Sequence, residues 1–227
     1  MSQSNIERLL TRRKSVRAFL PDPVSKADVA RILRAARQAP SGANLQPGRF
    51  HVLAGAPLEA LSAAVLGASQ SGRPVVSEYS YFPVPMGPEL KARQRAAGYA
   101  LYSALGIDRR DVAGRKSQFD RNYRFFDAPV GIVVTIQADM GKGCFMDLGM
   151  ALMALQLAAE DMGIATCGIG ALANHADVVH THLELPKDEL VVCGIALGRS
   201  DPDAPVNQVA TERDALEVYA RFQGFAD

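Results

Sequence analysis

The sequence predicts a fold that combines helices with a central sheet, either α+β or mixed α/β. Three short segments, 50–54, 130–136 and 190–197, have the apolar and β-branched composition of strands. The last two are apolar at nearly every position, so we expect helices to cover both faces of the sheet. Strands and helices do not alternate regularly along the chain, which argues against a doubly wound parallel sheet.

Two amphipathic helices are predicted before the first strand. Asn5 is placed to cap a helix that ends near Arg13. Ser25 and Asp28 form an S-x-x-D capping signal for a second helix, which ends near Arg37. The glycine- and proline-containing segment that follows is predicted to be a loop.

A longer helix is predicted over 145–162, because this segment is apolar nearly all round and Gly163 can end it. We expect it to be the buried central helix. The segment 69–126 is interpreted as an excursion from the core, since it begins with a stretch rich in Pro, Gly, Ser and Tyr. Within it, 88–105 is predicted to be helical with Gly106 as its stop.

The composition is that of an ordinary globular chain of one domain, 1–227. It has 25 basic and 24 acidic side chains, a net charge of +1, and 48% hydrophobic residues. Without a broad positive field, we expect neither nucleic acid nor a membrane as partner. The N-terminal segment lacks the apolar core of a signal peptide, and no segment has the apolar length of a membrane span, which predicts a cytoplasmic protein.

Neither a disulfide framework nor a metal site is expected. Cys144, Cys167 and Cys193 are odd in number and far apart. His180 and His182 are two residues apart, which on a helix points their side chains in different directions. We therefore predict reduced, buried thiols and no bound metal.

The first candidate site is the segment Arg13, Lys14, Ser15 and Arg17, which gathers cationic and hydroxyl donors just after a predicted helix. A phosphate monoester prefers such donors, because hydrogen bonds to a charged partner contribute about 1.5–3 kcal/mol each. A solvated basic turn at a helix C-terminus would have the same composition. The cluster alone does not decide between these interpretations.

Two further segments offer polar groups. The loop PSGANLQP presents Ser41 and Asn44 beside the flexible Gly42, although Ser41 lacks the G-x-S-x-G frame of a hydrolase nucleophile. The segment ATCGIGAL places Gly168 and Gly170 two residues apart, without the G-x-G-x-x-G spacing of a dinucleotide site. Either segment could also be a simple turn. Arg213 lies near the end of the sequence, and without further evidence we expect its side chain to be exposed.

Taken together, five segments resemble the FMN-dependent nitroreductase family, and most closely its bacterial nitrobenzoate-reductase-like branch. In order, they are RRKSVRAF, APSGANLQPGRFHV, RNYRFFDAPVGIVV, ATCGIGAL and VVCGIALGRSDPDAPVNQVATER. The resemblance implies an α+β nitroreductase-like fold, with a mostly antiparallel central sheet flanked by helices. It also implies a homodimer with FMN at the subunit interface, the excursion 69–126 over the active site, and 200–227 extending onto the partner subunit.

The resemblance assigns roles to individual residues. Arg13, Lys14, Ser15 and Arg213 would hold the phosphate and ribityl end of FMN. Arg17 would lie beside flavin N1 and O2, where a fixed guanidinium stabilises the charge that develops during reduction. The loop of the second subunit would contact the isoalloxazine and ribityl groups through Pro40, Ser41, Gly42 and Asn44. The backbone N–H groups of Ile169 and Gly170 would reach flavin N5 and O4.

The implied activity is NAD(P)H-dependent reduction of nitroaromatics, quinones or other electron-poor acceptors, by ping-pong hydride transfer through flavin N5. Two alternatives stay open: a specialised flavin enzyme, such as a dehalogenase or a flavin-consuming enzyme, and a non-catalytic FMN- or phosphate-binding module. Anaerobic bleaching of the flavin by NADPH would separate catalysis from binding alone.

The chain departs from the family pattern at Gly48, where Trp is frequent, and at Arg199, where an aromatic residue is common. Gly168 and Ile169 replace the Pro-Gln of the T-C-P-Q motif. These changes bear on redox tuning and substrate choice. Five side chains of the excursion could either line the substrate pocket or pack in the core or lid, and no role is assigned to them: Tyr79, Tyr81, Tyr123, Arg124 and Phe125.

Overall fold

A computed structural model describes residues 3–225, which form eight α-helices and four strands. The helices are α1 Asn5–Arg12, α2 Lys26–Ala36, α3 Ala56–Gln70, α4 Pro88–Ala104, α5 Val112–Asp120, α6 Lys142–Asp161, α7 Ala176–Leu183 and α8 Leu216–Tyr219. The strands are β1 Arg49–Ala54, β2 Val130–Gln137, β3 Ala165–Ile169 and β4 Glu189–Gly198. Single 3₁₀ turns connect several of these elements.

The four strands form one sheet in the order β1-β2-β4-β3, and every neighbouring pair is antiparallel. Side chains on β2 alternate between the two faces, as strand geometry requires. Ile132 and Val134 pack with α2 and α6, whereas Val133 packs on the opposite face with α3 and α7. Helices therefore cover both faces, and the α+β prediction is confirmed.

The first two predicted helices and the helix at 88–105 lie where expected, with one difference at a cap. The side chain of Ser4, not that of Asn5, accepts a hydrogen bond from the Glu7 N–H, and the Glu7 carboxylate accepts one from the Ser4 N–H. This reciprocal capping box satisfies two backbone donors at once, which a cap at Asn5 would not do.

The strand β3 was not predicted, because its segment has two glycines and suggested a turn. Cys167 and Ile169 each have about 1% of their surface exposed, and both pack into the core on the α3 side. The core thus selects an extended conformation for a segment whose composition is neutral between strand and turn.

The long helix α6 is buried on one side only, which corrects the expectation of a fully buried central helix. Leu148 and Leu155 face the sheet, whereas Met146 and Met150 are 70% and 42% exposed. In length and mean hydropathy α6 could also span a membrane, but core helices of globular proteins have the same properties. Its buried face packs on the sheet and on α2.

The excursion stands partly away from the core. Helix α4 has no buried residue. The chain before it is attached to the core at two points: Val76 forms a bridge with His175, just before α7, and the Tyr79 hydroxyl donates to the Val192 carbonyl of β4 at 2.7 Å. The excursion is therefore anchored at its start and exposed along its helix.

Candidate functional site

The two ends of the chain meet at one cavity of about 750 Å³. Its lining includes Arg13, Lys14, Ser15 and Arg17 from the segment after α1, and Arg213 from the C-terminal segment, some 200 residues later. The structure thus brings together the predicted phosphate-binding residues, including the one that the sequence separates most from the others. This volume is in the range of small-molecule sites.

Arg13 contributes to this cavity a buried donor that no other described residue accepts from. Its Nε is buried and has no partner among the described residues, and its Nη1 donates a long 3.4 Å bond to Gln156 on α6. A buried guanidinium N–H without an acceptor is costly, so the position favours an anionic ligand that can accept from it.

The segment after α1 runs beside the free edge of β3. The Val16 N–H donates to the Thr166 carbonyl at 3.0 Å, so the backbone of Thr166 faces this segment. Alternate residues of a strand direct their backbone groups to opposite edges. The backbone of Gly168 therefore faces the same open edge as that of Thr166, whereas that of Ile169 faces β4.

The side chain of Ile169 is buried in the core, so it is not directed toward the open edge. Ile169 is still extended, with φ −124° and ψ 84°, which directs Gly170 outward like Gly168. Tyr81 covers Gly170, since a Cβ at Gly170 would lie 3.0 Å from its ring. Gly168 is thus exposed at this edge, and Gly170 is half-buried beside the Tyr81 ring.

The thiol of Cys167 lies behind the basic segment. Burial raises the pKa of Cys167, while Arg17, Ser15 and Arg13 act in the opposite direction. The raised pKa keeps the thiol neutral near pH 7, so it serves as packing and is no nucleophile. All three cysteines are free in the structure, but only Cys167 is buried as predicted, whereas Cys144 and Cys193 are half-buried.

The loop 40–46 lies elsewhere on the same chain. Gly42 N–H donates to Asp147 of α6 at 3.0 Å, and Arg37 holds the end of the loop through the Gln46 and Gly48 carbonyls. The loop lines a small pocket separate from the cavity of Arg13. Within one chain, therefore, the structure does not bring Pro40, Ser41, Gly42 and Asn44 to the basic segment.

Comparison with known proteins identifies the family. The model of the nitroreductase family matches residues 10–199, which is most of the chain and includes the basic segment and the sheet. The chain belongs to the nitroreductase family. The resemblance drawn from the sequence motifs is thereby confirmed.

Curated relatives of this nitroreductase share a third of its residues over nearly the whole length. The 4-nitrobenzoate reductase of Pseudomonas putida is 34% identical over 221 residues, which is 97% of this chain and 96% of that protein. The chloronitrobenzene nitroreductase of Comamonas testosteroni is 36% identical and covers 96% of each chain. These names agree with the predicted nitroreductase-type oxidoreductase.

Solved nitroreductases have the same fold. The FMN- and NADPH-dependent nitroreductase NfnB from Sphigopyxis sp. strain HMH is 37% identical, with a TM-score of 0.95 over 98% of this chain and 100% of that one. The FMN-dependent NfnB from Mycobacterium smegmatis, solved in complex with NADPH, is 30% identical, with a TM-score of 0.92 over 96% and 98%.

The structure accounts for one of the departures from the nitroreductase pattern, at Gly48, and gives no reason for those at Gly168 and Arg199. Gly48 has a φ of +91°, and a Cβ there would collide with Leu148, so this backbone has no room for a larger residue. At Gly168 nothing lies within 4 Å of a Cβ, so that site has unused space. Arg199 is exposed, and its carbonyl accepts from the Leu20 N–H at 2.9 Å.

The excursion side chains separate into two groups. Tyr123 and Phe125 are 2% and 0% exposed and belong to the core, while Arg124 forms an ion pair with Asp127 at 2.7 Å. Tyr79 packs against Phe145 of α6, and Tyr81 is 63% exposed beside Gly170. Only the second group is near the open edge of β3.

Sequence reasoning missed three side chains that hold the site together, namely Gln156, Asp147 and Asn207. Asn207 is 1% exposed and bonds to the basic segment, and Asp147 holds the loop. Asn207 is buried, whereas Gln156 and Asp147 are half-buried, and such polar residues are a weak signal in a single sequence because Asn, Gln and Asp are mostly exposed.

Proposed function

We propose that this nitroreductase is an FMN-dependent oxidoreductase that uses NAD(P)H to reduce nitroaromatic, quinone or other electron-poor acceptors, as a homodimer in the cytoplasm. One observation carries the proposal: Arg13, Ser15, Arg17 and Arg213 converge on one cavity in which a buried Arg13 N–H has no acceptor. That is the donor set that a phosphate monoester requires.

The residues present fit FMN. The cavity offers cationic donors at one end, and the open edge of β3 with its two glycines continues from it. Arg13, Lys14, Ser15 and Arg213 would hold the phosphate and ribityl end. Backbone donors at a strand edge suit the polar rim of a flat ring, which can approach closely where side chains are absent.

Bound FMN would supply the redox chemistry, accepting hydride at N5 from NAD(P)H and returning it to an acceptor in a ping-pong cycle. Arg17 would hold a positive charge beside the N1–O2 edge, where negative charge develops. Gly170, and Gly168 beside it, would present backbone N–H groups toward N5 and O4. Ile169, which we also expected there, has its backbone directed toward β4.

The homodimer is supported by the position of loop 40–46 and by exposed apolar surface. Asp147, which holds the loop, and Gln156, which contacts Arg13, are separated by about 13 Å along α6, so one chain presents the loop away from its own phosphate end. Met146 on α6 and Phe222 in the C-terminal segment are 70% and 66% exposed. A second subunit would cover such surfaces and would bring its loop, with Pro40, Ser41, Gly42 and Asn44, to the FMN.

The acceptor site is supported by the aromatic residues of the excursion. Tyr81 lies over Gly170, and Tyr79 and Phe145 continue the aromatic surface from it. Flat, electron-poor rings stack on such surfaces with little discrimination by hydrogen bonds. The relatives named for 4-nitrobenzoate and chloronitrobenzene agree with this class of acceptor.

The direct test is flavin reduction. Freshly purified protein should be yellow, NADPH or NADH should bleach the flavin without oxygen, and 4-nitrobenzoate should restore the colour. A protein that binds FMN but is never bleached would be a binding module. A colourless protein that takes up no added FMN would contradict the proposal.

The roles of the two arginines are tested separately. Arg17→Ala should retain FMN but slow its reduction in stopped-flow experiments, because the developing charge loses its counterpart. Arg213→Ala should chiefly weaken FMN binding in a fluorescence titration. The reverse pattern would show that the role assignment is wrong.

A further inference from the structure

Asn207 is a buried amide that joins three segments at the edge of the site. Its Oδ1 accepts the Arg17 N–H at 2.8 Å, and its Nδ2 donates to the Ala18 and Asp201 carbonyls at 2.8 and 2.9 Å. A longer contact of 3.3 Å reaches the Ser200 hydroxyl. With 1% of its surface exposed, it is a fully used polar group, which fixes its orientation.

These bonds connect the two ends of the chain. Within residues 3–225, the hydrogen bonds between segments 205–213 and 13–20 all involve the side chain of Asn207. Segment 18–20 is otherwise held by backbone bonds to 199–201, including the Asp201 N–H to the Ala18 carbonyl at 3.1 Å. Asn207 extends this attachment to the backbone of Arg17 and to the segment that leads to Arg213.

The backbone on either side of Arg17 is held by the Val16 N–H bond to Thr166 and by the Asp201 N–H bond to the Ala18 carbonyl, and the bond to Asn207 is the one made by the Arg17 N–H itself. Its guanidinium donates to the Ser15 carbonyl at 3.2 Å, and among the described residues it makes no ion pair. A charge that no carboxylate neutralises keeps its full effect on a nearby ligand, provided that its backbone stays in place.

We propose that Asn207 is a positioning residue for flavin reduction, a role that rests on the proposed function. It holds the Arg17 backbone so that the guanidinium faces the reducible edge of FMN, and it fixes the start of the segment that carries Arg213. Losing the amide therefore lowers the affinity for reduced FMN more than the affinity for oxidised FMN.

The test compares Asn207→Ala with Val206→Ala in the full-length protein. Val206 is the neighbouring residue, 3% exposed, and makes no side-chain hydrogen bond, so its truncation destabilises the same segment without removing the amide. The measurements are the thermal midpoint, the FMN dissociation constant and the midpoint potential of bound FMN, titrated anaerobically against a reference dye.

For Asn207→Ala we expect the ratio of reduced to oxidised FMN affinity to fall about tenfold, which for a two-electron couple is a midpoint potential about 30 mV lower. Val206→Ala should lower the thermal midpoint but change this ratio less than twofold. Asn207→Ser keeps a hydroxyl but cannot reach all three segments, so it should change the potential in the same direction if the alanine variant fails to fold.

A double-mutant cycle tests whether the effect passes through Arg17. In an Arg17→Ala background, Asn207→Ala should lower the potential no further. Three results would overturn this inference alone. They are a potential that Asn207→Ala still lowers in the Arg17→Ala background, a wild-type potential in both Asn207 variants, and a potential lowered equally by Val206→Ala. A wild-type protein that takes up no FMN would overturn the proposed function as well.

Discussion

Arg13→Lys should weaken FMN binding without lowering the stability of the apoprotein, because the Nε of Arg13 has no partner in the described part of the chain. In the chain alone this N–H is buried without an acceptor. Lysine keeps the positive charge but places methylene groups where the N–H was. The free energy of unfolding of the apoprotein should therefore be unchanged or up to about 1 kcal/mol higher, since an unsatisfied buried donor is removed.

FMN binding should weaken in the same variant. A hydrogen bond to a charged group contributes about 1.5–3 kcal/mol, so losing one bond to the phosphate raises the dissociation constant about 10- to 150-fold. Urea unfolding of the apoprotein and quenching of FMN fluorescence measure the two effects separately.

The matched control is Arg12→Lys. Arg12 precedes Arg13 and also lines the cavity, but its guanidinium already pairs with Glu160 at 3.0 Å and its side chain is 63% exposed. FMN affinity should change less than about threefold, because exposed ion pairs contribute little. If Arg13→Lys destabilises the apoprotein and leaves FMN affinity unchanged, Arg13 is a structural residue and the phosphate assignment fails.

Three further predictions concern stability and assembly. The pKa of Glu189 is lowered: burial alone would raise it, but hydrogen bonds from Thr135 and Arg49 outweigh burial. The stability that this shift contributes is present above pH 4.5 and is lost as the pH falls through the lowered pKa. Glu189→Gln should therefore lower the free energy of unfolding by about 1–3 kcal/mol at pH 7 and by less in acid. Urea unfolding at both pH values measures this difference. Gly131→Ala should destabilise the fold by about 1–3 kcal/mol in thermal unfolding, because its Cβ would meet a core leucine at 2.5 Å, whereas Gly168→Ala, with open space around it, should not. Met146→Glu should convert a dimer to monomers in light scattering and release FMN, since it places a charge in the proposed interface, and a dimer that persists would contradict the interface.

Much of the fold and part of the site follow from local patterns. The apolar runs of β2 and β4 predict buried strands, and the spacing of Ser25 and Asp28 predicts the start of α2, because periodicity and capping act over a few residues. The motif combination containing Arg13 and Arg213 also indicates the family, although no single motif does.

Other features are decided by contacts between segments distant in the chain. The strand β3 forms because Cys167 and Ile169 are buried against the core. Local composition does not reveal the stabilisation that this burial provides. The same pairing with β4 turns the Ile169 backbone away from the open edge, which no motif indicates. The exposed side of α6 is also a tertiary result, since an all-round apolar helix can be covered by its own chain or by another.

The amino-acid sequence by itself determined the kind of chemistry this protein can hold, because residue types such as arginine, serine and glycine fix which groups can donate to a phosphate or approach a flat ring. The tertiary structure alone decided which of them share a cavity. Arg213 lines the same cavity as the basic segment because the chain returns to that edge after β4, where the amide of Asn207 bonds to the Arg17 backbone. Such convergence depends on packing and hydrogen bonds between distant segments, and these are not encoded in any local stretch.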